Sequence, residues 1–288
     1  MKKNMLLALI FSWGCLFLRS QDITVGTGMG ISAYYGDLMF NGRPFSQVSP
    51  ASNMSVSYSF LKRFRERFNF SYLNVRGDDK KSPALNFRER NLNFTSHVYE
   101  LSLLTEYDLI DGQKNENWIY LFAGPGIFFY DPITIDRYGK KVHLHDYGTE
   151  GQSGTKYETA QANIQSEKFE VANSGKKIYG LQALSFTVGL GVRRDINTKA
   201  GIGIEFAFRF TNTDYLDDVS GAKYPDRSQV SPYVYELTYR GDEVNPLLTS
   251  PGWQPRGNPN NKDVFYSFQL CYYYKLGKQK VYDKWYFR

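Results

Sequence analysis

Cysteine is nearly absent from this 288-residue chain, which has Cys15 and Cys271 and no others. Cys15 falls inside an N-terminal leader, so one mature thiol remains and no internal disulfide can form. Histidine is as scarce, with His97, His143 and His145 only, which leaves little for imidazole catalysis or zinc chemistry. Beyond residue 20 there is no continuous apolar run of the ~18 residues a transmembrane helix needs. The mean hydropathy of −0.47 would suit a soluble protein, but alternating barrel strands give the same low average. A strong charge bias is missing too. Removing the leader takes away Lys2, Lys3 and Arg19 and lowers the formal charge from +6 to +3, too mild a balance to imply a nucleic-acid partner.

The leader, residues 1–20, reads as a secretory signal peptide. Lys2 and Lys3 form its charged start and Met5 to Leu18 its apolar run. As a helix that run spans roughly 21 Å, short of the ~30 Å hydrocarbon core. Cleavage after Ser20 leaves Gln21 as the new terminus. Trp13 before Cys15 and Leu16-Phe17-Leu18 after it argue against a lipoprotein site.

Aromatics are what the chain has in abundance, 17% of residues with 23 Tyr and 21 Phe. That suits aromatic girdles at two membrane interfaces. Eight segments alternate with period two: roughly 23–36, 51–60, 67–76, 96–108, 118–129, 183–193, 200–212 and 264–276. In the clearest, Ile202, Ile204, Phe206, Phe208 and Phe210 interleave with Gly203, Glu205, Ala207 and Arg209. One face is greasy and the other carries glycine and charge, the reverse of a soluble sandwich strand. The fifth segment is ambiguous, because residues on both of its faces are apolar. Long connections (37–50, 77–95, 130–182, 213–263) alternate strictly with short ones (61–66, 109–117, 194–199). The expected fold is therefore all-β, an eight-stranded antiparallel transmembrane β-barrel with short periplasmic turns and long extracellular loops. It covers residues 21–276 in the outer membrane. A basic-aromatic tail, 277–288, follows it, and both termini lie in the periplasm.

An eight-stranded interior is just wide enough for side chains to fill it. Glu100, Glu106, Arg193, Glu205 and Arg209 are expected to form a paired network there, not a conduit. Cys271 should point inward as a buried thiol, with an intermolecular disulfide to an envelope partner as the alternative. Charge gathers at the periplasmic end: Lys62, Arg63, Arg65 and Arg67 in one turn, Arg194 and Lys199 in another, Lys278, Lys280 and Lys284 in the tail. Such a rim suits outer-membrane lipid headgroups or an acidic periplasmic protein. His97 with Ser96 and Glu100 imitates a lipid-cutting Ser/His/acid set, yet at period two 97 and 100 face opposite sides. His143 and His145 show no third metal ligand. No catalytic residue, cofactor or small-molecule substrate is expected.

Several segments resemble one Bacteroidetes family. They are Tyr34-Tyr35-Gly36-Asp37-Leu38, Arg90-Asn91-Leu92-Asn93-Phe94, Val98-Tyr99-Glu100-Leu101-Ser102, Tyr120-Leu121-Phe122-Ala123-Gly124 and Gly148-Thr149-Glu150-Gly151-Gln152. Thr213-Asp214-Tyr215-Leu216-Asp217-Asp218-Val219-Ser220 and Arg256-Gly257-Asn258 complete the set. They are similar to PorG-like outer-membrane barrels of the type IX secretion system, from the first strand to the last. The resemblance implies a non-enzymatic part of a protein-export machine that in some bacteria also supports gliding. It implies as partner the periplasmic ring lipoprotein, which the barrel would anchor to the outer membrane. The rivals are a passive or adhesin-like barrel acting through its outer loops, and a lipid-modifying enzyme.

Overall fold

The computed structural model describes residues 23–39, 46–110, 117–156, 177–221, 223–252 and 255–276. The expected signal peptide with Cys15, and the tail with Lys278, Lys280 and Lys284, lie outside the described residues. In chain order the strands are β1 (Ile23–Tyr35), β2 (Ser49–Ser59), β3 (Phe64–Asp78), β4 (Asn93–Ile110) and β5 (Asn117–Phe129). Two short strands follow, β6 (Pro132–Ile135) and β7 (Lys141–His143), then β8 (Gln182–Asp195), β9 (Ala200–Thr211) and β10 (Val264–Lys275). The long strands pair in the order β3-β2-β1-β10-β9-β8-β5-β4, and β3 pairs with β4 to close the ring. Every pairing in that ring is antiparallel. Closure removes the free edges that would otherwise expose backbone polar groups to lipid.

Each of the eight expected strands is present. The main differences are that β3 and β4 run several residues longer than alternation alone suggested, and that β6 and β7 extend the sheet beside β4. In the ambiguous β5, Tyr120, Phe122 and Phe128 point inward and are buried, while Leu121 and Phe129 face outward. Glycine explains how such rings fit inside. A Cβ on Gly189 would lie 2.1 Å from the Phe122 ring, and one on Gly191 2.2 Å from Tyr120. The bare backbone of β8 is thus the space that the β5 aromatics occupy.

The barrel exterior is mostly apolar. On β3 and β4 the outward pairs are Phe64 opposite Tyr107, Phe68 opposite Leu103, Phe70 opposite Leu101 and Tyr72 opposite Tyr99. One polar pair lies near the short-turn end, Glu66 opposite Thr105, in which the Thr105 hydroxyl donates to Glu66 at 2.9 Å. Leu184, Phe186, Phe208 and Phe210 line the far wall. Exposures such as 66% for Met54 and 57% for Leu184, repeated around the ring, are stable only against lipid. From Phe64 to Tyr72, tilted strand residues climb roughly 20 Å, close to the ~25 Å band of such barrels, with aromatic rings at both ends.

Two described turns at one end are short, and the loops at the other are long and structured. A six-residue helix α1 (Leu85–Arg90) and a seven-residue helix α2 (Pro232–Thr238) lie in these loops. Beneath them Leu73, Val75, Val98, Phe128, Leu216 and Phe265 form a fully buried apolar layer across the top of the lumen.

Candidate functional site

Inside the barrel, alternation delivers charged side chains from several strands into one small volume. Arg65 Nε lies 2.7 Å from Glu106 and its Nη2 2.6 Å from Asp108. Arg67 Nη1 donates to Glu205 at 2.5 Å and its Nε lies 3.2 Å from Glu106, while Phe122 stacks 4.5 Å from its guanidinium. Tyr120 and Tyr273 hydroxyls donate to the same Glu205 oxygen at 2.6 and 2.7 Å. Higher in the lumen, Arg209 Nε donates to Glu100 at 2.7 Å and Nη1 to Ser267 at 3.0 Å, and Ser185 donates to Glu100 at 2.7 Å. Pairing of this kind is what allows charges to be buried.

All five residues expected in the lumen are there. Four of them form ion pairs, whereas Arg193 sits among the rings of Trp118, Tyr120 and Tyr273 at 5.2 to 5.6 Å. Its Nε finds no hydrogen-bond partner among the described residues. Sequence reasoning missed Asp108, Arg65, Arg67 and the two tyrosines as network members.

The expected basic rim needs correction. Arg65 and Arg67 are not turn residues: β3 begins at Phe64, so alternation turns both side chains inward, where they are 7% and 2% exposed. Lys62, Arg63, Arg194 and Lys199 are exposed at the short-turn end, as expected. Lys275, next to them, pairs with Asp195 at 2.6 Å. Cys271 is buried in the lumen beside Gly28, which places its sulfur out of reach of an external partner thiol and counts against the intermolecular disulfide. The histidines are dispersed. His97 Nδ1 meets the Tyr72 hydroxyl at 2.8 Å on the outer face, while Glu100 lies in the lumen. His143 bonds Asp131 at 2.6 Å, and His145 Nε2 bonds the Tyr179 carbonyl at 2.8 Å. Among the described residues, no three His, Cys, Asp or Glu side chains are arranged to hold a metal.

A second cluster lies over the long-loop end. Arg256, 1% exposed, donates to Glu150 at 2.7 Å, to Thr149 at 2.8 Å and to the Asp218 carbonyl at 2.9 Å. Glu150 also accepts from the backbone N–H groups of Ser220 and Gly221. Arg90 grips both oxygens of Asp79 and donates to the carbonyls of Asp37 and Arg256. The Tyr34 hydroxyl contacts Asp217 and Asp263, and Asp37 accepts from the Asn258 N–H at 2.9 Å. Asn91, in the left-handed region at φ 58°, ends α1 and donates from its amide to the Arg240 carbonyl. Five of the seven sequence pieces that carry the family resemblance therefore meet in one buried, hydrogen-bonded cap. Their signal was visible as charge beside glycine and asparagine in long loops, but nothing in the spacing showed that they converge.

Burial governs ionisation in this cap. It pushes Asp218 up to about 6 and Asp214 likewise to about 6. Burial also drives Asp217 and Asp263 well above the usual carboxyl range, helped by neighbouring carboxylates. A carboxyl whose folded pKa exceeds the unfolded ~3.9 binds its proton more tightly when folded. The contribution of these carboxyls to the cap's stability is then fully present below that unfolded value and is lost as pH rises through about 6. Amide protection factors across residues 213–221 should accordingly be larger at about pH 5 than at about pH 7.5; the opposite order would contradict these assignments.

A family profile described as "Domain of unknown function (DUF6089)" matches residues 3–149. No curated protein matches the chain at a significant level of sequence similarity. Among solved structures the chain is similar to Neisserial surface protein A (NspA), at 8% identity and TM-score 0.41, covering 88% of this chain and 96% of that one. It is similar to Ail, the attachment invasion locus protein of Yersinia pestis, at 9% identity and TM-score 0.38, covering 89% and 98%. The outer membrane enzyme PagL aligns at 8% identity and TM-score 0.31, covering 87% and 98%.

Proposed function

This chain belongs to the DUF6089 family, and from that premise we propose that it is a non-enzymatic outer-membrane barrel of the type IX protein secretion system. In this reading it holds the periplasmic lipoprotein ring at the outer membrane, with both termini in the periplasm. The resemblance of its loop and strand segments to PorG-like barrels supports the system. The observation that carries the role is the short-turn end. Once Arg65, Arg67 and Arg193 are withdrawn into the lumen, Lys62, Arg63, Arg194 and Lys199 still stand exposed there. Four cations beside a membrane-facing belt suit an acidic protein partner. The lumen, filled by paired charges and aromatic rings, favours a scaffold over a conduit.

Reversing these four charges to glutamate should cut recovery of the ring lipoprotein in mild-detergent pull-downs by roughly tenfold or more, because close charge pairs govern such docking. The barrel should keep its heat-modifiable gel mobility. Wild-type barrel recovered alone, under conditions that preserve other envelope complexes, would overturn the reading. An adhesin-like role through the outer loops would then lead, since the cap leaves Tyr138 and Leu247 exposed at 70% and 87%.

A further inference from the structure

The outer face of the β3–β4 wall changes character just beyond the upper aromatic ring. Above Tyr72 opposite Tyr99, the next outward pairs are Asn74 opposite His97, Arg76 opposite Thr95 and Asp78 opposite Asn93. The sheet continues sideways, because Thr95 pairs with Ile133 and Ile133 with His143. Arg76, Thr95, Ile133 and His143 thus form one row across four strands, with Lys141 opposite Ile135 nearby. The 3-10 turn after β3 adds Lys80 and Lys81, both exposed. Two carboxylates, Asp78 and Asp131, share this face with the cations Arg76, Lys80, Lys81 and Lys141. Asp78 caps the Lys80 N–H at 3.0 Å, and Asp131 holds His143. Arg76 donates once, to the Val48 carbonyl at 2.7 Å, and stays exposed.

The far wall is different. At the same end of β8, β9, β10 and β1 the outward residues are Gln182, Leu184, Phe210, Val264 and Tyr35, all uncharged. Lys262, two residues before β10, is exposed as well, so the contrast is one of clustering: Arg76, Lys80 and Lys81 stand together on the β3–β4 side. Its position matters as much as its charge. Arg76 stands four residues beyond Tyr72 on β3, roughly 10 Å above the aromatic ring on a tilted strand, where the headgroups of a glycolipid reach, and Lys80 and Lys81 follow in the turn.

We propose that this face binds the phosphorylated headgroup of an outer-leaflet glycolipid. The phosphates lie against Arg76, Lys80 and Lys81, and the acyl chains run down Phe68, Phe70, Leu101 and Leu103. The inference rests on the outer-membrane placement with long loops outward, and not on the secretion role.

The test uses full-length barrel reconstituted in phosphatidylcholine vesicles doped with diphosphorylated or with dephosphorylated lipid A. Lipid retained by the barrel is counted after extraction in mild detergent. The triple variant Arg76→Gln, Lys80→Gln, Lys81→Gln should lose roughly tenfold or more of the diphosphorylated lipid, with retention of the dephosphorylated lipid unchanged. The variant Lys62→Gln, Arg63→Gln, at the opposite end, should retain both lipids as the wild type does. Equal loss of both lipids, no loss in the triple variant, or a loss confined to the Lys62, Arg63 variant would each overturn the site. Heat-modifiable mobility in the same vesicles reports insertion. A barrel that fails to insert counts against the membrane placement, whereas one that inserts without retaining lipid counts against the site alone.

Discussion

Replacing Arg67 by methionine is expected to destabilise the barrel by about 3–5 kcal/mol, the usual cost of breaking a buried ion pair from one side. Arg67 is 2% exposed and, among the described residues, is the one cation paired with Glu205, which then keeps the hydroxyl groups of Tyr120 and Tyr273 there. Glu106 would be left with Arg65 as its close partner. Methionine fills much of the same volume, so the loss reports charge and not a cavity. Denaturant midpoints of the reconstituted barrel, read as the loss of heat-modifiable mobility, would measure it. The double variant Arg67→Met, Glu205→Leu should recover a good part of the loss, since it removes both charges together. A single variant as stable as the wild type would mean that water, and not Arg67, neutralises Glu205.

Arg256→Met should act at the other end and leave the barrel standing. Its guanidinium, 1% exposed, ties Glu150, Thr149 and the Asp218 carbonyl together. Removing it strands Glu150 in a buried position, at an expected cost of about 3–5 kcal/mol to the cap. Limited proteolysis within residues 130–156 and 223–252 should then accelerate by roughly a hundredfold or more if cleavage follows local opening. Heat-modifiable mobility should hardly change, because the strand ladders are untouched. Arg137→Met offers the contrast. Arg137 also contacts carboxylates, Asp242 at 2.9 Å and Glu236 at 3.5 Å, but its side chain is 25% exposed. Its loss should cost no more than about 1 kcal/mol. Equal sensitivity of the two variants would show that burial is not what gives Arg256 its weight.

The barrel was legible in the sequence because its lipid-facing exterior imposes period two on every strand. Ile202 through Phe210 could be assigned to a face without any knowledge of neighbours, and each connection declared its length directly. The same periodicity placed Glu100, Glu106, Glu205 and Arg209 in the lumen correctly. Arg65 and Arg67 were misplaced for a local reason. The cluster from Lys62 to Arg67 reads as a charged turn, and only the pairing of Phe64 with Tyr107 shows that β3 has already begun. Alternation tells which face a residue takes once its strand is known, but not where the strand starts.

The loop cap was invisible for a deeper reason. Arg90, Glu150, Asp218 and Arg256 are separated by tens of residues, and loops carry no periodicity that would report their meeting. The sequence by itself determined what depends on one strand and its solvent: eight strands, an apolar exterior, a polar interior and long loops at one end. Tertiary structure decided what depends on closure. Bringing β3 beside β4, and β1 beside β10, chose the partners of each buried charge, turned Arg65 and Arg67 away from the rim, and gathered the loop motifs into one cap. A burial pattern is a property of single residues in sequence, whereas a compensated charge is a property of pairs that only the closed ring brings together.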